Sequence, residues 1–139
     1  MTLTPTAPLG ISMTFAGDFD AAIDAVTAAL KEQGFGVLTD IDVTATLASK
    51  IGATIEPYRI LGACNPHLAH QALNAERSIG LLLPCNVVVR QLEPGTVEVS
   101  VVDPETLFAL APESAREDVA HLPSEARAKL VAALGALGR

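Results

Sequence analysis

The chain has no tryptophan, one tyrosine and four phenylalanines. A core without large aromatics has to be filled by Val, Leu, Ile and Ala. Half of the 139 residues are hydrophobic, which is enough for one sizeable domain. Basic residues are also scarce. Nine Lys and Arg stand against sixteen Asp and Glu, a net charge of −7. That balance argues against general nucleic-acid binding and against anionic membranes, both of which need a positive surface. No apolar run approaches the roughly 18 residues needed to span a bilayer. Residues Met1-Thr2-Leu3-Thr4-Pro5-Thr6-Ala7-Pro8 lack the basic start and apolar block of a signal peptide. The expectation is a cytoplasmic protein whose two cysteines stay reduced. Gly34-Phe35-Gly36 lacks the further glycine and the lysine of a phosphate loop, and no serine elbow or metalloprotease motif occurs. Nothing in the chain dictates a reaction or a cofactor.

What is present centres on the two cysteines. Tyr58-Arg59-Ile60-Leu61 is β-prone and runs into Gly62-Ala63-Cys64. Asn65-Pro66 then opens a helix: asparagine is a strong N-cap, and proline suits the first helical position, where no N–H is needed. Cys64 is therefore expected at a strand-to-helix corner, beside the positive end of a helix dipole. That placement would favour an anion and lower a thiol pKa. Pro84-Cys85-Asn86 echoes the pattern at the start of a Val-rich strand.

The rest of the chain supplies a frame. Residues 1–9 read as a loose Thr/Pro-rich lead-in. Ile11, Met13 and Phe15 alternate with polar or small residues, as in a strand with one buried face. Asp18 caps a helix to about Gln33, where Phe19, Ile23, Val26 and Leu30 form one stripe and Gly34 is the stop. Residues 35–41 read as a strand. Asp42 caps a short helix in which Val43, Leu47 and Ile51 stack, and a strand from about Pro57 reaches Ala63. After the Asn65 helix, Ile79 to Leu83 is a packed connector. Strands 85–92 and 96–102 flank Glu93-Pro94-Gly95 as a hairpin. Asp103-Pro104 opens a helix to about Leu110, Pro112 breaks it, and Ser124 caps a last helix carrying Leu130, Val131, Leu134 and Leu137. The pattern predicts a two-layer α+β domain, a mostly antiparallel sheet of about five strands packed by helices.

Three stretches resemble a known family: Gly34 to Asp42 (GFGVLTDID), Pro57 to Pro66 (PYRILGACNP) and Ile79 to Val87 (IGLLLPCNV). In order and spacing they are similar to the domain of unknown function family 302, over residues 10–111. The resemblance implies a compact fold with an antiparallel sheet, similar to the TATA-box-binding-protein-like class, and homodimers. It implies no nucleic-acid binding and no reaction. Residues 112–139 lie outside it and read as a helical extension packed on the same domain.

Several chemistries are open to the candidate residues. If Cys64 ends one strand and Cys85 starts another, the two thiols meet at one end of the sheet, as a dithiol or half a metal site. Zinc wants four N/S ligands, and Cys64, Cys85, His67 and His70 are of the right types, although their spacing lacks the paired C-x-x-C arrangement. Unpaired cysteines are also often simply small buried hydrophobes. His67 and His70 are neighbours on a helix whose remaining face is polar, which suits solvated side chains, and His70 is a candidate general base for Cys64. Asn65 is first a cap, and Asn86 bonds backbone at a strand end or presents its amide to a ligand. Arg59 or Arg90 could fork a carboxylate or phosphate, or pair with the many acids. Asp40, Asp42 and Asp103 read as turn and cap residues. The leading reading is a small-ligand-binding domain contacting an anionic or carbonyl-bearing metabolite through Cys64, Asn65, His67, His70, Cys85 and Asn86. The rivals are a thiol enzyme or redox carrier using Cys64 and Cys85, and a structural or interaction module.

Overall fold

The computed structural model describes residues 4–6 and 9–138. It is an α+β protein. The strands are β1 (Thr4–Thr6), β2 (Gly10–Ala16), β3 (Gly36–Asp42), β4 (Tyr58–Cys64), β5 (Cys85–Glu93) and β6 (Thr96–Val102). They form one antiparallel sheet in the order β1-β2-β6-β5-β4-β3. The helices are α1 (Phe19–Glu32), α2 (Val43–Ile51), α3 (Pro66–Ala75), α4 (Pro104–Phe108), α5 (Glu113–Arg116) and α6 (Leu122–Ala136), with a 3-10 helix over Arg77–Leu82.

Local chemistry fixes most boundaries. The Asp18 carboxylate accepts the Ala21 amide hydrogen at 2.7 Å and starts α1, and Gly34, at φ +82°, ends that turn in a conformation that costs glycine least. Asp42 caps α2 and Asp103 caps α4 in the same way. Alternation then orients the strands. Val87, Val89, Val97, Val99 and Val101 are buried against α1 and α6, while Val88, Arg90, Glu98 and Ser100 look to the open face.

Two clusters make up the interior. The larger joins β2, β4, β5 and β6 to α1 and the second half of α6, through Leu30, Leu61, Leu130 and Leu134 among others. The smaller joins α3, the 3-10 helix and α4 to the first half of α6, through Leu68, Ala72, Ile79, Phe108, Leu122 and Ala126. Helix α6 thus runs across both. The thiol corner lies at their junction.

Three expectations are corrected. Thr4–Thr6, within the supposed loose lead-in, pairs with β2 as an edge strand, a place where proline is tolerated because a solvent-facing N–H is not needed by the ladder. Helix α6 starts at Leu122, before Ser124, whose hydroxyl donates to the His121 carbonyl at 3.3 Å. Helix α2 contains no buried residue. Asp40 is no turn residue: it is inside β3 and pairs across the ladder with Arg59.

Candidate functional site

The corner is built by strand register. Gly36 pairs with Cys64, Ala63 with Cys85, and Gly62 with Asn86, so β3, β4 and β5 bring three separated stretches to one end of the sheet. The chain enters β5 through a cis Leu83–Pro84 bond. It leaves β4 at Cys64 and turns into α3, where the Asn65 side chain accepts the Leu68 amide hydrogen at 3.2 Å and Pro66 occupies the first turn. Asn65 is itself buried and lies over Gly34, whose missing side chain leaves room for the amide.

Cys64 and Cys85 line the same cavity. Its walls are Phe35 and Ala63, the α3 residues Leu68, Ala69 and Ala72, the Leu83-Pro84 turn, and Phe108, Leu122 and Ala126 from the C-terminal part of the chain. The space inside is about 30 Å³, room for roughly two waters. Asn65 also faces it. The contribution of the C-terminal helices to this wall has no counterpart in the sequence reading, because no local pattern tells which surface α6 covers.

The thiols do not have the electrostatics that the helix start suggested. Burial pushes the Cys64 pKa above its ordinary value, and burial followed by the neighbouring Cys64 thiol pushes Cys85 up to about 11. The reason is local. Pro66 has no N–H, and the Leu68 amide is already taken by Asn65, so the amino end of α3 has little left to offer a thiolate. Desolvation of a charged sulfur therefore prevails.

The remaining candidates are dispersed. His67 and His70 are exposed on the outer side of α3, and a His70 ring nitrogen is 3.2 Å from the Asn74 amide. Neither histidine lines the cavity. Among the described residues no group of three or more His, Cys, Asp or Glu is placed to hold a metal, so the four-ligand zinc set does not assemble. Asn86 points to the opposite side of the sheet, where Tyr58, Val88, Arg90, Glu98 and Ser100 border an open groove of about 480 Å³. There the Arg90 guanidinium donates to Glu98 at 2.9 Å and to Glu56 at 3.2 Å. Arg59 is paired with Asp40, and this holds the Asp40 carboxyl below the usual carboxylate range. Both arginines are thus engaged by acids of the same chain.

The model of one family, "Domain of unknown function DUF302", matches residues 11–137. The chain belongs to the DUF302 family. The match takes in the C-terminal helices that roof the cavity, beyond the 10–111 span of the resemblance. The fold is similar to the crystal structure of an uncharacterized conserved DUF302 protein from Bacillus stearothermophilus, with a TM-score of 0.81 and 29% identity, over 94% of this chain and 98% of that one. No curated protein matches the chain. Among the described residues no helix is long and apolar enough to cross a membrane.

Proposed function

We propose that this DUF302 protein binds a small ligand in the cavity shared by Cys64 and Cys85. One observation carries the reading: residues from separated stretches, Cys64, Asn65, Pro84 and Cys85, line one small, partly open cavity together with the C-terminal helices. Sites that hold small molecules are mostly apolar concavities with a few placed polar groups. Here the placed groups are two thiols and the Asn65 amide. The lining suits a compact, uncharged or soft guest better than an anionic or carbonyl-bearing metabolite, since among the described residues no Lys or Arg lines it and burial pushes both thiols up. The same upward shift speaks against a thiolate nucleophile. The open groove on the other sheet face is a weaker candidate, because its arginine is already flanked by two carboxylates.

Native mass spectrometry of gently purified protein tests this. The expected result is a non-covalently retained mass on the wild-type chain that is missing from Ala126→Leu, which fills the cavity from the α6 side. Bare wild-type chain, or the same retained mass on both proteins, would count against the reading.

A second reading, an interaction module that pairs with another copy of itself, is favoured by one feature. Helix α2 has no buried residue, and Leu38, Ile41 and Ile51 of the β3–α2 unit are 68%, 48% and 73% exposed. Exposed apolar surface of this kind marks interaction sites. The bulge at Leu38 and the acids Asp40 and Asp42 discourage strand-to-strand pairing along this edge, so the contact would be made by side chains. Light scattering should then give a dimer mass for the wild type and a monomer mass for Leu38→Lys/Ile51→Lys. A wild-type monomer at high micromolar concentration would end this reading.

A further inference from the structure

From the placement of the two thiols we infer that the ligand of this cavity is a monovalent soft metal ion, with Cu(I) the type case, held between the Cys64 and Cys85 sulfurs. The inference rests on the ligand-site reading above and gives that site its chemical class. Three observations support it. The register sets Ala63 opposite Cys85, so Cys64, the last residue of β4, and Cys85, the first of β5, lie at the same end of the sheet. Both residues line one small cavity. Cys64 also adds, after burial, to the upward shift of the Cys85 thiol.

Chemistry selects the ion. Sulfur ligands are soft and select Cu(I) over the hard divalent ions. A closed-shell monovalent ion is content with two thiolates in line. Zinc, by contrast, takes four ligands, and the described residues bring no third His, Cys, Asp or Glu to the pair. The histidines that might have completed a zinc site face outward on α3. A space of about 30 Å³ accepts a bare ion and excludes a metabolite of ordinary size, which needs a pocket on the order of 300 Å³ or more. Binding forms two Cu–S bonds and breaks two S–H bonds. Both protons leave to solvent, and neither the metal nor sulfur changes oxidation state.

The test is an anaerobic titration of reduced protein with tetrakis(acetonitrile)copper(I), against bicinchoninate as competitor. The expected result is one copper per chain, an ultraviolet thiolate-to-copper band, and loss of both in Cys64→Ser and in Cys85→Ser. Circular dichroism checks that each variant is folded. Should either variant fail to fold, copper K-edge absorption on the loaded wild type decides, with two sulfur neighbours expected. Binding that survives in a folded single variant, nitrogen or oxygen neighbours at the edge, or no stoichiometric uptake by folded wild type would each overturn the assignment. If copper is refused while an organic mass is retained by the wild type and missing from Ala126→Leu, the ion is wrong and the site stands. If both experiments are negative, both readings fall.

Discussion

Replacing Leu130 by alanine should lower the free energy of unfolding by about 3 kcal/mol, and the melting temperature by on the order of 10 °C. Leu130 is fully buried in the larger cluster, on the α6 stripe that also carries Ala126 and Leu134. Helix α6 packs on α1 and α4 and approaches β2, so shortening this side chain opens a hole in the middle of the domain and leaves rigid neighbours on several sides. Large-to-small changes at such sites cost the transfer energy of the lost methylenes plus that of the cavity. Leu110→Ala is the matched control. That side chain is 73% exposed and should change stability by less than about 0.5 kcal/mol. Urea denaturation followed by circular dichroism reads both. A loss below about 1 kcal/mol for Leu130→Ala would mean that α6 is an appendage and that the cavity it roofs is not a fixed feature.

Much of this frame was visible in the sequence because it is set locally. Asp18, Asp42, Asn65 and Asp103 each cap a helix with their own side chain, and Gly34 and Gly52 end α1 and α2 with positive φ. Such contacts span three or four residues and leave a readable mark. The hairpin β5–β6 is marked by its turn and by valines at every second position. What could not be read depends on distant partners. Thr4–Thr6 has no strand pattern of its own and becomes a strand because β2 offers a free edge. Nothing in α2 says that its apolar residues will find no core, because that follows from β3 lying at the rim. The site divides in the same way. The meeting of Cys64 and Cys85 follows from where two strands end and begin. The sequence reading grouped Asn86 with the cysteines, although alternation puts it on the other face, since Cys85, Val87 and Val89 share the buried side and Asn86 falls between them. The roof of Phe108, Leu122 and Ala126 was not, since it rests on how α6 crosses the sheet.

Gly62→Ala is expected to be nearly as damaging as the Leu130 change, at about 2–3 kcal/mol, for the opposite reason. Gly62 is buried in β4 with β3 on one side and β5 on the other. A methyl group there would collide with the Thr39 hydroxyl of β3 and come within 2.8 Å of Pro84 Cγ. Neither neighbour can yield easily. Thr39 follows the bulge of β3, and the Pro84 ring is fixed between the 3-10 helix and β5. The backbone conformation is not the issue, since Gly62 has no positive φ; the position needs glycine because of contact. The crowding also joins the three stretches that carry the cysteine corner. Thr39 belongs to the first, Gly62 to the second and Pro84 to the third, and Pro84 also lines the cavity of Cys64 and Cys85. Gly80→Ala separates this effect from a general glycine effect, because its nearest neighbour would be Leu73 Cδ2 at an ordinary 3.9 Å. It should be close to neutral. Urea denaturation supplies the stabilities, and alkylation of Cys85 by iodoacetamide reports the corner directly. The thiol should react faster in Gly62→Ala than in the wild type, and at an unchanged rate in Gly80→Ala. Equal stability and equal alkylation in all three proteins would show that the contact at Gly62 is soft and that the corner is not held by it.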